Sequence, residues 1–406
     1  MKNKHSYLLI LLIISLSNGF AQKINSLPIP IINESNIKTS CPFFTKNSKG
    51  IPVISFAKEI NNKETVLCYS LFDSNKKKFL NPTVIESSRG VELHGENAPK
   101  IIFKPNNEII AVWGINNASE KKKYGGLVKY SQSFNDGKTW TKASDLVKNP
   151  SSIDQRYFDI DLLPNGEVAI IWLDNRTDTD KEGSTLYYAA TVGTSGFQNE
   201  KPIAETTCQC CRTDLFISKQ GKINAAFRDI INDEIRDMVL TYSDDNGKTF
   251  SEPKRISPDN WKINGCPHTG PTMTENENGL HFAWYTSGGG SGVFYCNSAD
   301  YGKNFTKRNI VSDKPSARHP QITSLNNKDV FVVWDETVTE KDNMSVKIGL
   351  QHRDKNGKII TTKFISQKDK TATFPIIEPI DNNQLLVAWS QESTDENVYY
   401  KIVTIN

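Results

Sequence analysis

Short apolar runs and polar turns alternate along most of this 406-residue chain, in a pattern that repeats. In each repeat a short strand precedes a turn containing Asn or Gly. A second, apolar strand then ends in an aromatic residue, as at residues 168–172 and 330–334. β-branched and aromatic residues between such turns favour strands, and no long segment has helical periodicity. The pattern therefore predicts an all-β chain.

The spacing of the pattern indicates how many repeats there are. Seven first strands begin at Pro42, Pro99, Asp159, Asp214, Pro271, Pro320 and Pro375, and the matching aromatic residues are Phe56, Trp113, Trp172, Phe227, Trp284, Trp334 and Trp389. Successive starts lie 49 to 60 residues apart, a period typical of four-stranded propeller blades. We predict a seven-bladed β-propeller that forms a single domain over residues 22–406.

The last repeat is short, since only one strand, at residues 398–403, follows Trp389. An incomplete blade would leave strand edges unpaired, which soluble proteins avoid. Residues 27–32 precede the first repeat, and their prolines suit an edge strand. We expect this N-terminal strand to pair with residues 398–403 and close the ring.

Three repeats share a motif in the turn between their third and fourth strands. Residues 243–250 and 298–305 fit Ser-x-Asp-x-Gly-x-x-aromatic, and residues 133–140 have Asn135 at the Asp position. The motif resembles the Asp-box, or BNR, repeat of sialidase-like propellers, and the resemblance covers nearly all of the mature chain. Because sialidases of this kind have six blades, a six-bladed ring is the alternative. Turn hydrogen bonds and a glycine with positive φ explain the motif, so we expect its role to be structural.

The N-terminus predicts export. Lys2 and Lys4 precede an apolar core at residues 7–16, and small residues at 19–21 suit signal peptidase, so residues 1–21 are interpreted as a signal peptide. A non-cleaved anchor is the alternative, although the apolar core is too short for a spanning helix. The protein is expected in the periplasm or outside the cell, as a monomer that does not span the membrane. A net charge of +3 without a basic stripe argues against nucleic acid as a partner.

Five of the seven cysteines lie just before first strands, on the face where propellers usually place their function. Cys208, Cys210 and Cys211 precede the fourth repeat, and Cys266 and His268 precede the fifth. Thiolates and imidazole together favour zinc or copper, so these five residues are candidate metal ligands. Disulfides are the alternative in an exported protein, for example from Cys208 to Cys41 or Cys266. An odd number of cysteines leaves at least one thiol unpaired within the chain.

Cationic side chains near the same face point to a second kind of ligand. The candidate ligand-binding residues are Arg156, Arg212, Arg228, Arg318 and His319. Guanidinium groups that converge on a small cavity suit a carboxylate, sulfate or phosphate. Pairing of each arginine with a neighbouring acid, as part of the contacts between blades, is the alternative.

The resemblance to sialidases does not extend to their catalytic residues. Sialidase chemistry needs an arginine triad, a tyrosine–glutamate nucleophile pair and an aspartate. The stretch equivalent to the family's opening-blade arginine motif, residues 54–58, contains no arginine. We therefore expect no cleavage of sialosides. Candidate residues for another glycoside hydrolase activity are Glu96, Asp174, Asp229, Tyr285 and Asp335, with Tyr157 as a further partner for Glu96.

Three functions remain open from the sequence. The first is an exported propeller that binds a small anionic ligand or a transition metal, zinc or copper, at its Arg/His/Cys-rich face. The second is an exo-acting, sialidase-like glycoside hydrolase or related enzyme with a carbohydrate substrate. The third is a scaffold for protein partners. Binding is placed first because the face is rich in cations and sulfur and lacks a recognisable acid–nucleophile pair.

Overall fold

The computed structural model describes residues 27–405 apart from 35–36, 62–63, 121–122, 124, 177–181, 341–342 and 393–395. Twenty-nine strands and short 3-10 turns, among them Glu86–Ser88 and Gly95–Asn97, make up the secondary structure of this part, which contains no α-helix. None of the described segments is a helix long and apolar enough to cross a membrane. The predicted signal peptide, residues 1–21, lies outside the described residues.

The strands of the first half run in chain order. They are β1 (Ile29–Pro30), β2 (Thr39–Lys46), β3 (Pro52–Glu59), β4 (Thr65–Asp73), β5 (Lys78–Phe79), β6 (Thr83–Ile85), β7 (Lys100–Phe103), β8 (Ile109–Asn116), β9 (Gly126–Ser133), β10 (Ser144–Asp145), β11 (Gln155–Leu162), β12 (Val168–Asp174), β13 (Ser184–Thr191) and β14 (Phe197–Thr207).

The second half continues in the same way. Its strands are β15 (Asp214–Ile217), β16 (Ile223–Ile231), β17 (Ile235–Ser243), β18 (Lys254–Arg255), β19 (Thr272–Asn276), β20 (Gly279–Thr286), β21 (Gly292–Ser298), β22 (Asn309–Ser312), β23 (Arg318–Leu325), β24 (Asp329–Glu340), β25 (Asn343–Arg353), β26 (Ile359–Phe364), β27 (Thr371–Pro379), β28 (Gln384–Glu392) and β29 (Asn397–Thr404).

These strands form six antiparallel sheets in the described part of the chain. Five are meanders of sequential strands: β2 to β6, β7 to β10, β19 to β22, β23 to β26, and β27 to β29 with β1 added. The sixth sheet contains β11 to β18, and its two halves are joined only where Thr207 of β14 pairs with Asp229 of β16. The prediction of an all-β chain is confirmed.

The N-terminal segment pairs with the last strand. Ile29 lies opposite Tyr400 and Pro30 opposite Tyr399, and the amide of Ile31 donates to the carbonyl oxygen of Val398 at 2.8 Å. Pro30 lies in an edge strand, where its missing N–H costs no ladder hydrogen bond. This pairing joins the two ends of the chain in one sheet.

The repeated aromatic residues lie at the centre of the packing between sheets. Each of the seven is at most 2% exposed: Phe56, Trp113, Trp172, Phe227, Trp284, Trp334 and Trp389. Trp172 donates its indole N–H to Asp174 at 3.2 Å, and Trp334 donates to Glu336 at 2.6 Å. A buried indole N–H needs such an acceptor. The carboxylates two residues after these tryptophans therefore stabilise the sheets.

The three turn motifs form the same hydrogen-bond network. In one of them Asp245 Oδ1 accepts from Ser243 Oγ at 2.7 Å and from the amide of Thr249 at 2.9 Å, while Ser243 Oγ accepts from the amide of Gly247 at 2.9 Å. Gly247 has a φ of 78°, and a side chain there would collide with the ring of Tyr188. These contacts explain every polar position of the motif by turn geometry.

Four first strands, β2, β11, β23 and β27, contain a bulge near their start. In each, one residue has a φ between 47° and 55°: Cys41, Tyr157, His319 and Phe374. This left-handed conformation is unfavourable for side chains with a Cβ, by about 1–2 kcal/mol. Bulges re-aim side chains and are frequent beside functional sites. In these four strands the strained residue lies at the bulge, near the start of the strand.

Candidate functional site

A small cavity of about 110 Å³ lies where the first strands of several sheets meet. Phe43, Lys100, Asp159, Asp214, Gln321 and Ile376 line it from β2, β7, β11, β15, β23 and β27, together with Glu96, Arg212, His319 and Phe374. We call it the central cavity. It brings together Glu96, Arg212 and His319, three of the residues selected from the sequence.

Arg212 and Glu96 are paired inside the protein. Glu96 is 3% exposed, and its Oε2 lies 3.7 Å from Arg212 Nε and accepts from the amide of Gly270 at 3.1 Å. Arg212 also donates to the carbonyl oxygens of Gly270 and Pro320, at 3.2 and 3.1 Å. Its guanidinium therefore holds together segments that are far apart in the sequence.

A second group of charges fills the side of the central cavity formed by β7, β11 and β15. Lys100 Nζ donates to the carbonyl oxygen of Phe158 at 2.9 Å and lies 3.9 Å from Asp159 Oδ1. Burial lowers the pKa of Lys100, and the charge of Asp159 only partly opposes this shift. Burial likewise raises the pKa of Asp159, against the effect of the Lys100 charge. Burial also raises the pKa of Asp214, and the charge of Asp159 adds to this. Lys100 therefore pairs with Asp159, while the neighbouring Asp214 is destabilised as a charged group by burial and by Asp159.

His319 and Asp335 form a hydrogen-bonded dyad beside the central cavity. His319 Nδ1 lies 2.7 Å from Asp335 Oδ2, which also accepts from the amide of Phe374 at 2.8 Å. Burial by itself lowers the pKa of His319, but the charge and hydrogen bond of Asp335 outweigh it, so the pKa is raised. The imidazole lies against the ring of Phe374, with 4.0 Å between ring centroids.

The other predicted arginines have partners elsewhere in the structure. Arg228, 1% exposed, donates to the carbonyl oxygens of Arg236, Thr269 and Tyr285. The guanidinium of Arg318 lies 3.7 Å from the centroid of the Tyr285 ring and contacts nearby carbonyls. Neither residue lines the central cavity. The four arginines therefore do not converge on one point.

The candidate carboxylates of a hydrolase are also dispersed. Asp174 is fully buried and accepts from Ser152 Oγ at 2.6 Å in addition to the indole of Trp172. Asp229 accepts from Thr206 Oγ1 at 2.7 Å, and the hydroxyl of Tyr285 lies 2.7 Å from Ser287 Oγ. Of the five candidates, only Glu96 lines the central cavity. The arrangement does not present two free carboxylates across one sugar-sized space.

A larger cavity of about 680 Å³, here called the side cavity, lies next to β11 and the loops that precede β15 and β19. Its lining includes Glu92, His94, Asn116, Asp154, Arg156, Tyr157, Asn175, Gln209, Cys210, Cys266 and His268. Arg156 Nε donates to Asp154 Oδ1 at 2.6 Å. The rings of His94 and Tyr157 meet edge to face, with centroids 5.7 Å apart. The side cavity thus gathers sulfur, imidazole and phenol groups.

Three thiols meet at the wall of the side cavity. A turn closed by a 3.4 Å hydrogen bond from the Cys211 amide to the Cys208 carbonyl oxygen places Cys208, Cys210 and Cys211 together. Cys208 Sγ lies 3.6 Å from Cys210 Sγ and 3.8 Å from Cys211 Sγ, and all three sulfurs lie within 4.8 Å of one another. All three residues are buried, at 5% exposure or less. We call this group the three-thiol cluster.

Two arginines favour negative charge on the cluster. Arg236 Nη1 lies 3.5 Å from Cys208 Sγ. Hydrogen bonds from Cys210 and Cys211 lower the pKa of Cys208, and the charge of Arg228 acts in the same direction. The pKa of Cys211 is raised, mainly by burial. Cys208 is therefore the sulfur that most readily carries a negative charge.

The remaining cysteines are separate from this cluster. All seven are free thiols in the structure, so none of the disulfides left open by the sequence is present. Cys266 is exposed and lines the side cavity with His268, on a loop before β19, but neither belongs to the three-thiol cluster. The five predicted metal ligands thus divide into a buried group of three and an exposed pair.

The candidate site residues selected from the sequence include neither His94 nor Lys100. His94 Nδ1 is buried without a hydrogen-bond partner among the described residues. Burial lowers the pKa of His94, and His268 and Arg156 act in the same direction against the acids Glu92 and Glu96. The sequence does indicate His94, because it lies shortly before the first strand of the second repeat, as the selected cysteines do in other repeats. Lys100 gave none, because it lies within a strand.

Comparisons with known proteins identify the fold class. No protein-family model and no curated protein matches the chain. Among solved structures, the BP39L lectin from Burkholderia pseudomallei has a TM-score of 0.59 at 12% identity, covering 91% of this chain and 95% of the lectin. The polysaccharide lyase PL25-Ulvanlyase bound to -[GlcA(1-4)Rha3S]- has 0.53 at 12%, covering 90% and 94%.

A third match is the NanB sialidase from Streptococcus pneumoniae, whose K499G mutant structure has a TM-score of 0.51 at 9% identity, covering 90% of this chain and 85% of the sialidase. At such identities the similarity shows the fold alone. The chain therefore has an all-β, sialidase-like fold.

Proposed function

We propose that this protein is an exported, sialidase-like propeller that binds a thiophilic metal ion, zinc or copper, through Cys208, Cys210 and Cys211. The main support is that three buried thiols, none of them in a disulfide, lie within 4.8 Å of one another. Soft thiolate ligands select zinc and monovalent copper over harder ions. A metal ion bound by all three sulfurs would explain why three thiols are buried together beside two arginines.

The distances between the sulfurs fit a shared ion. Two sulfurs bound to zinc in tetrahedral geometry, at about 2.3 Å each, lie roughly 3.8 Å apart. The separations of 3.6 and 3.8 Å from Cys208 agree with this value without movement of the backbone. Thiol–thiol hydrogen bonds account for the same distances in the absence of an ion, so metal content is the deciding measurement.

The surrounding charges support metal binding as well. Three thiolates around a monovalent copper ion leave two negative charges in excess, and around zinc they leave one. The charge of Arg228 acts on Cys208, and Arg236 Nη1 lies 3.5 Å from its Sγ, although Arg236 also pairs with Glu182 through Nη2. Removing charged groups from water is favourable only when they are paired. The two arginines therefore offset part of the excess charge that three buried thiolates would otherwise leave.

The test is the metal content of the full-length protein, purified under anaerobic conditions and analysed by mass spectrometry for zinc and copper. We expect about one ion per chain, and a loss of at least tenfold in occupancy in Cys208→Ser, Cys210→Ser and Cys211→Ser. Cys68→Ala is the matched control, because Cys68 is equally buried but lies in β4 away from the cluster. Normal metal content in the three serine variants would refute the proposal.

Two further parts of the proposal concern the ring and its location. Dividing the eight-stranded sheet at its single joining pair gives seven units, which we propose to be the seven blades of residues 22–406, with Asp-box turns and with β1 as the closing strand. In support, Phe56 of β3 packs in one buried cluster with Val398 and Tyr400 of β29. Deleting residues 27–32 should lower the thermal midpoint sharply.

The predicted export is tested separately. Cell fractionation should place the protein in the periplasm or the medium.

A carbohydrate ligand is the second candidate function. The side cavity, at about 680 Å³, is within the usual size range of small-ligand sites, and Arg156, Tyr157 and Asn175 line it. The similar structures include a lectin and a lyase bound to a uronate-containing saccharide. We expect binding of an acidic saccharide without hydrolysis of a chromogenic sialoside. A glycan array with wild type and Arg156→Ala tests this, and equal binding by both would exclude the cavity as the site.

A further inference from the structure

We infer that His94, Cys266 and His268 form a second, open metal position in the side cavity, from which an ion passes to the three-thiol cluster. The inference rests on the metal binding proposed for that cluster. It adds His94, which sequence reasoning did not include, and it gives Cys266 and His268 a role different from that of the buried sulfurs.

The first support is the chemistry of the lining. Imidazole and thiolate are ligands for zinc and copper, and all three side chains line one cavity together with Cys210 of the cluster. Cys210 is therefore the only thiol of the three-thiol cluster that also lines the side cavity. An ion in the side cavity would meet Cys210 before it reaches Cys208 or Cys211.

The second support is that His94 is available as a ligand. Its Nδ1 is buried without a hydrogen-bond partner among the described residues. Buried polar atoms are nearly always satisfied, so an exception needs an explanation such as an absent ion. His94 and His268 are also near enough for their charges to interact.

The third support is the difference in exposure. Cys266 and His268 are exposed and lie on a loop without regular secondary structure, whereas the cluster is buried. The ligand atoms of His94, Cys266 and His268 do not form a group as close as that of the three thiols. Binding an ion at this position therefore requires movement of the loop, which a position for transient binding can tolerate better than a structural site.

The transfer is a ligand exchange without a change in oxidation state. Cys266 gives its thiol proton to water when it first binds the ion. Cys208, Cys210 and Cys211 then bind the ion as thiolates, and any thiol proton that they still carry passes to water. Cys266 takes up a proton from water when it releases the ion. Zinc and monovalent copper share this ligand chemistry, so the two ions are tested separately.

The experiment measures loading of the metal-free, full-length protein by stopped flow, with Zn²⁺ or Cu⁺ supplied from a chromophoric chelator. In a His94→Phe/His268→Ala double variant, we expect loading to be at least tenfold slower, with a final content of one ion per chain. Cys266→Ser should slow loading to a smaller extent. Asn116→Ala is the control, since Asn116 lines the same cavity without a soft ligand.

A second measurement observes the open position directly. With two of the three cluster thiols removed by a Cys208→Ser/Cys211→Ser change, Co²⁺ should still bind weakly and give an absorption spectrum that His94→Phe alters. Full loading at the wild-type rate in the histidine double variant would overturn the inference and leave the metal proposal intact. Loss of all metal from that variant at equilibrium would also overturn it. Wild-type metal content in the cysteine variants would refute the proposed function itself.

Discussion

The central cavity and the side cavity are both rich in chemically active side chains, but they use them differently. In the central cavity, Arg212 holds Glu96 and two carbonyl oxygens, and Lys100 faces Asp159 in a volume of about 110 Å³. At the side cavity, of about 680 Å³, His94 Nδ1 has no hydrogen-bond partner among the described residues, and the three thiols at the wall contact one another and Arg236. A high density of charge is therefore a weaker sign of a ligand site than groups whose preferred partner is missing.

The difference between the two cavities depends on the charged residues of the central cavity stabilising the fold rather than binding a ligand. Arg212→Met should lower the free energy of unfolding by about 3–5 kcal/mol, because it leaves Glu96 buried without its cation. The matched Arg318→Met should cost only about 0.5–1 kcal/mol, the usual contribution of a cation over an aromatic ring. Urea denaturation measures both. Equal, small losses would mean that Arg212 is free to bind a ligand.

The metal should stabilise the side-cavity region. If the cluster binds an ion, free ion at a hundredfold excess over its dissociation constant adds about 2.7 kcal/mol to the stability of the protein. Removal of the ion by a chelator should then lower the thermal midpoint of the wild type. The midpoint of Cys210→Ser should not respond to the chelator. A midpoint that is equally insensitive in both proteins contradicts metal binding.

The dyad at the central cavity should make stability depend on pH. The pKa of His319 is raised in the folded protein, so its contribution is complete below the ordinary histidine pKa and is lost as pH rises through the folded value. The advantage of the wild type over His319→Asn should therefore be larger at about pH 5.5 than at about pH 9. Asn tolerates the left-handed backbone of this position. Thermal midpoints across the pH range measure the effect, and an advantage that grows with pH would show that Asp335 does not stabilise the imidazolium.

The smallest effect is expected on the turn motifs, which belong to neither cavity. Asp300 accepts from Ser298 Oγ at 2.9 Å and from the amide of Asn304 at 2.7 Å, and these hydrogen bonds lower its pKa to about 2. Asp300→Ala should lower the thermal midpoint by roughly 1–3 °C, as expected for loss of one turn network. Metal content should not change. A loss of metal in this variant would connect the turns to the site.

Periodicity in the sequence was enough to predict the strands. The aromatic residues of the second strands follow from the alternation of apolar and polar positions, because a strand must bury one set of side chains whatever its neighbours are. The pairing of residues near 27–32 with the last strand follows from the incomplete last repeat. The predicted starts agree with β7, β15 and β19 to within one residue, whereas β2, β11, β23 and β27 begin two to four residues earlier, because each extends past a bulge. The cysteines before the fourth repeat were also recognised, since a Cys-x-Cys-Cys turn brings its thiols together by local geometry.

Tertiary structure decided which of the candidate residues are available for a ligand. Arg228 and Asp174 carry charges typical of functional residues, yet packing gives Arg228 the carbonyl oxygen of Tyr285 and Asp174 the hydroxyl of Ser152, both from other segments of the chain. Cys266 and His268 follow the pattern of the buried cysteines but lie exposed on a separate loop that lines the same cavity as Cys210. The sequence determines where a polar side chain stands along its strand. Its hydrogen-bond partners come from segments far away in the chain, and only their arrangement in space determines whether it remains free to bind.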